Sequence, residues 1–397
     1  MAIKFMRSVL LAAAISLPAP YGFALPPDEN THIPGTINSF AGQSAPARET
    51  KDVTVMVYMN ARNELDRAAA QDIRDLAKNA SGHAANIVVE FGIVGKPITR
   101  SYMTPAGFET VARIPTGDMG DYRELASFLS WSKKNFPARQ YLLVIWGHGS
   151  GWTDLYPDKA ASKGISYDYQ TSNYIKTAEL KNIFAIAGPV DVLVLNACRM
   201  QSAEVLFELR DCARFVVGSQ LNIPVNSVNL ARLTAIAATP GLSPKQLAVN
   251  IAKGSMRACG APLSFSAIDM AELKKLPRYL DPVVRSMEQD VYAIRTLYKN
   301  SFRVDPAQQP GTVDLYSLAA TLADRPAPAN AMALRDYLSN QVIAANFAIG
   351  TKARGLSIEL PYPEHYNAAR YKMNYSTLAL GRESNWGEFL KKIGKAR

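Results

Sequence analysis

Cysteine is scarce in this chain of 397 residues, with only Cys198, Cys212 and Cys259. Three thiols at unrelated spacings exclude a disulfide framework and every paired-cysteine zinc motif. The number is odd, so at least one thiol is left over, which in an exported protein needs a reason. Histidine is nearly as scarce, at His32, His83, His148 and His365. No HExxH pair, EF-hand loop or G-x-S-x-G elbow occurs, and Gly149-Ser150-Gly151 has the wrong spacing for the elbow. Residues 92–95 before Lys96 are too short for a phosphate loop, and Pro97 follows. Dense blocks of one charge are also missing. The net charge of +10 is scattered along the chain. With no one-sided basic helix and no RNP or zinc-finger pattern, the sequence predicts no nucleic-acid partner.

Beyond the N-terminus no apolar run reaches the length of about 20 residues that a bilayer requires. The N-terminus itself reads as a signal peptide over residues 1–24. Lys4 and Arg7 begin it, residues 9–17 are apolar, and Gly22-Phe23-Ala24 offers small residues for cleavage. No stable membrane insertion is expected after its removal, and the mature protein is expected to be secreted or periplasmic. Residues 25–50 read as an extended leader.

Continuous apolar runs then alternate with amphipathic segments. Strands are expected at 53–58, 87–93, 110–114, 141–146, 190–195, 215–218 and 264–268. Helices are expected from Asn63 and Glu64 onward, before Pro137, over 178–187 and over 201–210. Unbroken apolar strands between helices predict an α/β protein, a three-layer α/β/α sandwich with a mainly parallel sheet. This domain spans 51–270. Residues 271–397 read as a smaller C-terminal α+β subdomain, opening with a long helix over 271–298. Residues 151–174 lack periodicity and read as a long exposed loop.

Two strand ends carry the chemistry. One reads Trp146-Gly147-His148-Gly149-Ser150-Gly151-Trp152 and the other Asn196-Ala197-Cys198-Arg199-Met200. Sites in such sheets form at the carboxyl ends of parallel strands, so adjacent strands would present imidazole and thiol on one edge. A thiolate attacks a carbonyl while an imidazole moves protons. Glycines beside His148 let a substrate approach the backbone. A helix starting just after Cys198 would favour the thiolate. Cys212 and Cys259 read as structural.

These residues resemble the clostripain family of cysteine peptidases, which shares its fold with caspases, gingipains and legumains. The His and Cys blocks are close to that family's motifs, with His preceding Cys by about fifty residues as in caspases. Flanking agreement includes Val55-Met56-Val57-Tyr58-Met59-Asn60, Gly218-Ser219-Gln220, Phe265-Ser266-Ala267-Ile268-Asp269 and Gly355-Leu356-Ser357-Ile358. The resemblance implies a cysteine endopeptidase acting on a protein or peptide substrate. His148 would be the acid and base, Cys198 the nucleophile, and the amides of Gly149 and Cys198 the oxyanion hole. Asn196, Ser219, Gln220 and Asn226 would line the substrate pocket. Relatives usually carry acids that select Arg or Lys there. Here Asn196 stands at one such position, and 221–230 holds Asn222, Asn226 and Asn229 but no acid. A neutral or polar preference is the alternative, unless Asp154, Glu179 or Glu204 reaches the pocket. Self-cleavage between residues 151 and 174 would fit the resemblance. No cofactor is required, though calcium at Asp154, Asp158 and Asp168 is conceivable for this family. Two other classes suit the same residues: a binding protein whose catalysis has lapsed, and an amidase or transpeptidase using the same dyad.

Overall fold

The computed structural model describes residues 49–78, 84–152, 164–289, 291–305, 309–325, 328–362 and 375–395. Its central feature is a nine-stranded sheet. In chain order its strands are β1 (Lys51–Ala61), β2 (Ala85–Ile93), β3 (Ile98–Thr104), β4 (Gly107–Ile114) and β5 (Ala138–Trp146). A short hairpin, β6 (Ile165–Asp168) with β7 (Asn173–Ile175), precedes β8 (Val190–Asn196), β9 (Ala213–Gly218) and β10 (Leu263–Asp269). Three more strands follow, β11 (Arg303–Asp305), β12 (Gln309–Asp314) and β13 (Ile343–Ile349), and then β14 (Ser357–Glu359).

Across the large sheet the order is β13-β10-β9-β8-β5-β1-β2-β3-β4. The five central strands, β9, β8, β5, β1 and β2, are parallel. Antiparallel strands flank them on both sides. A parallel centre needs crossover helices, and those helices bury both faces. They are α1 (Asp66–Lys78), α2 (Tyr122–Asn135), α3 (Leu180–Ala187), α4 (Ala203–Glu208), α5 (Leu230–Ala237) and α6 (Pro244–Gly254). Met56, Tyr58, Leu143, Ile145, Leu193 and Leu195 share one core with α2, α3 and α4. Their neighbours Val55, Val57, Leu142, Val144, Val192 and Val194 are equally buried. Successive residues of a strand point to opposite faces, so these meet the other layer, where α5 packs between α1 and α6. Each fully buried Leu or Val stabilises the fold by about 1.5–3 kcal/mol relative to exposure. The mixed α/β architecture with helices on both faces of a mainly parallel sheet is the one expected.

Several local expectations change. Helix α1 begins at Asp66, so Asn63 and Glu64 lie in the turn before it. Strand β3 was not anticipated because its polar residues Thr99, Arg100 and Ser101 break the apolar run. Arg100 is nonetheless buried, paired with Glu90 at 2.5 Å and Glu124 at 3.2 Å. The expected exposed loop is part of the interior over 164–168, where Ile165, Ser166 and Asp168 are fully buried. Residues 153–163 lie outside the described residues, as do the signal-peptide and leader positions up to 48. After β10 the expected long helix is three helices, Met270–Leu273, Leu276–Glu288 and Val291–Asn300. The chain then returns to the large sheet as its edge strand β13, and β11, β12 and β14 form a sheet of their own.

Candidate active site

Strands β5 and β8 are direct neighbours in parallel register, with Trp146 opposite Asn196. His148 and Cys198 each lie two residues beyond that pair, so they leave the sheet at the same height from adjacent strand ends. The Gly147 amide donates to the Asn196 carbonyl at 3.2 Å, extending the ladder past the strands. Gly149 then runs against the Cys198 peptide. A Cβ there would lie 2.5 Å from the Cys198 carbonyl oxygen and 2.9 Å from its amide nitrogen. Only glycine permits this approach. Arg199 at φ 63° turns the chain immediately after the cysteine, and its amide donates to the Leu221 carbonyl at 3.1 Å.

Cys198 is half-buried. Its Sγ accepts from the Ile223 amide at 3.2 Å and lies 3.8 Å from the Ile223 carbonyl oxygen. Burial pushes the thiol pKa up, while the Ile223 backbone bond and the nearby Arg199 charge pull it down. The expected help from a helix end is absent from its immediate neighbourhood. Helix α4 starts at Ala203, and its first turn is capped by Ser202, whose Oγ accepts from the Val205 amide at 3.3 Å.

His148 is 28% exposed, and its Nε2 lies 2.9 Å from Oε1 of Glu64. The Ser166 amide donates to the His148 carbonyl at 3.1 Å, and the Ser150 amide donates to Gly164 at 2.9 Å. The segment 164–166 thus straps the histidine loop in place. Glu64 was not anticipated as a site residue. The available signal was positional: it follows the end of β1, and β1 is the other neighbour of β5.

The remaining expected residues divide. Asn196 is nearly buried, at 7% exposure, on the strand end between the two loops. Asn226 is exposed, with φ 60°. Ser219 and Gln220 are buried with committed side chains. Ser219 Oγ lies 3.1 Å from Ser264 Oγ and accepts from the Leu221 amide at 3.0 Å. Gln220 Nε2 donates to Asp314 at 3.0 Å. Glu179 and Glu204 each have their own partners. Glu179 accepts from the Lys176 amide at 3.1 Å. Glu204 is fully buried, and its Oε1 accepts from the Glu359 amide and the Tyr375 hydroxyl, both at 2.8 Å. Burial pushes Glu204 up to about 7.

Asp168 is no exposed loop carboxylate. Its Oδ2 lies 3.4 Å from the Arg62 guanidinium, and both side chains are fully buried. Asp154 and Asp158 lie outside the described residues. Among the described residues no three His, Cys, Asp or Glu groups converge as a metal site. His32, His83 and His365 also lie outside them. None of the three cysteines forms a disulfide. Cys212 is buried and pushed up to about 12 by desolvation, which keeps it inert. Cys259 is exposed, and so is not the packed structural thiol expected.

Comparison with known proteins bears on the fold and the family. A secreted C11 cysteine protease from Bacteroides thetaiotaomicron, solved with an irreversible peptide inhibitor, superposes with a TM-score of 0.68 at 17% identity, over 85% of this chain and 99% of that one. An inactive zymogen C11 protease from Parabacteroides distasonis gives a TM-score of 0.65 at 18% identity, over 85% and 99% of the two chains. These likenesses show a shared fold. Clostripain from Hathewaya histolytica is 27% identical over 107 residues, which are 23% of this chain and 19% of that protein. The clostripain family matches residues 57–392, a span that holds both strand ends, and the chain therefore belongs to the clostripain family of cysteine peptidases.

Proposed function

We propose that this chain is an exported cysteine endopeptidase in which Cys198 and His148 form the catalytic dyad. The observation that carries the reading is the shared register: both residues sit two positions past the Trp146–Asn196 pair of adjacent parallel strands. Burial holds Cys198 as a thiol in the free site. The imidazole of His148 takes the thiol proton as Sγ bonds to the substrate carbonyl carbon. The amides of Gly149 and Cys198 then face the developing oxyanion. Collapse of the tetrahedral adduct breaks the C–N bond, and the same proton passes from His148 to the leaving amine. Water, deprotonated by His148, hydrolyses the thioester and regenerates the thiol.

The pocket favours a neutral or polar side chain. Asn196 hydrogen-bonds a guanidinium without neutralising it, while Glu179 and Glu204 are engaged elsewhere. Ser219 and Gln220 shape the pocket wall by fixing the chain after β9, and Asn226 is the residue among them free to meet substrate from the surface. Export rests on the apolar N-terminus.

The test is a peptide-library profile of the full chain beside Cys198→Ala. The wild type is expected to cleave after neutral residues, and the variant to lose at least about 1,000-fold in kcat/KM. Undiminished hydrolysis by Cys198→Ala ends the proposal. Peptide bonds formed to an added amine would redirect it toward transpeptidation.

A further inference from the structure

Three adjacent strand ends, not two, converge at this edge. The sheet order runs β8-β5-β1. Cys198 follows β8, His148 follows β5, and Glu64 follows β1, in the turn between Ala61 and Asp66. That turn is built from buried amides. Asn60 Oδ1 accepts from the Arg62 amide at 3.0 Å, and Asn63 Oδ1 accepts from the Leu65 amide at 3.0 Å. Asn63 Nδ2 also donates to the Tyr167 carbonyl at 2.9 Å. A second support comes from Tyr169, whose amide donates to the Arg62 carbonyl at 2.8 Å and whose hydroxyl hydrogen-bonds the Glu64 carboxylate. The carboxylate is therefore held from both its backbone and its tip, although its side chain is 56% exposed.

Resting on the dyad reading above, we propose that Glu64 is the positioning residue for His148, and that Tyr169 in turn fixes Glu64. On this reading the ring proton sits on Nε2, the nitrogen that faces the carboxylate at 2.9 Å. Nδ1 is then left as the base for the Cys198 proton. Once that proton moves, the imidazolium is stabilised by the adjacent negative charge. A freely moving surface ion pair contributes little. The rigid turn and the tyrosine separate Glu64 from that case, because the geometry is set before substrate arrives. Water reaches the pair, so the effect belongs at the lower end of what a misplaced base costs.

The experiment compares Glu64→Gln, Glu64→Asp and Tyr169→Phe in the full chain, with circular dichroism confirming the fold. Peptide hydrolysis gives kcat and KM. Iodoacetamide labelling, followed by peptide mass mapping, gives the alkylation rate at Cys198, with exposed Cys259 as the internal reference. Glu64→Gln is expected to lower kcat roughly 10- to 100-fold with KM within about twofold. It should slow alkylation of Cys198 but not of Cys259. Glu64→Asp should recover part of the loss, and Tyr169→Phe should lose a few-fold in kcat. An unchanged kcat and unchanged Cys198 alkylation in Glu64→Gln overturn the assignment. The Cys198→Ala control separates the two ideas. If it is inactive while Glu64→Gln is normal, only the positioning role falls; if it stays active, the dyad itself falls.

Discussion

Two fully buried carboxylates brace the site from opposite sides and are neutralised in different ways. On the histidine side, Asp168 faces the Arg62 guanidinium and also accepts from the Met119 and Gln170 amides at 3.1 and 2.8 Å. On the cysteine side, Glu204 of α4 meets an amide and a phenol, with a second carboxylate, Glu359, close enough to push its pKa further up. One network balances charge with charge. The other relies on dipoles and on a proton. The first ties β1 to the strap that holds His148, while the second ties the helix after Cys198 to β14 and Tyr375.

The difference is sharpest under substitution. Asp168→Asn leaves Arg62 buried without its counter-charge, and unfolding in urea should show a loss of about 3–5 kcal/mol. A loss below about 1 kcal/mol would mean that the Gly117 and Lys96 carbonyls, which accept from Arg62 at 2.6 and 3.1 Å, compensate the guanidinium by themselves. Next in size is Gly149→Ala, at the contact between the two braced loops. Its Cβ would meet backbone atoms of Cys198, so the His148 and Cys198 loops must spread, and kcat/KM should fall roughly 100-fold if the proposed dyad is correct. Activity within about threefold of wild type would show that the loops yield.

The smallest effect concerns pH. Glu204 lies near 7 in the folded protein and at 4.5 when unfolded, so the folded state holds the proton more tightly. Its stabilisation is complete below 4.5 and is lost as pH rises through 7. Glutamine keeps an acceptor for the Glu359 amide and Tyr375 without titrating. Thermal unfolding from about pH 4.5 to about pH 8 should therefore show the wild-type Tm falling more than that of Glu204→Gln. Some decline will persist in the variant because Glu90, raised to about 8 by burial, acts in the same direction. Parallel curves would mean that Glu204 is compensated like Asp168.

The core strands were legible because each is an apolar run between turn signals, and parallel strands buried on both faces leave that imprint. The proposed dyad was legible because His148 and Cys198 each follow such a run. Strand β3 and the hairpin β6–β7 were not, since their buried polar residues, Arg100, Ser166 and Asp168, read as exposed until their partners are in place. Glu64 looked like the opening of a helix for the same reason: one charged residue near a capping signal says nothing of the imidazole beside it.

The amino-acid order alone thus determined the alternation of apolar strands and helices, the glycines around His148 and the absence of an acid at Asn196, because these depend on each residue's own size and polarity. The tertiary structure decided which strands are neighbours, and with that which acid reaches His148, which acids are sealed in the interior and how far Cys198 is removed from water. Those outcomes depend on distance and desolvation between segments far apart in the chain, and neither quantity exists until the sheet has closed around them.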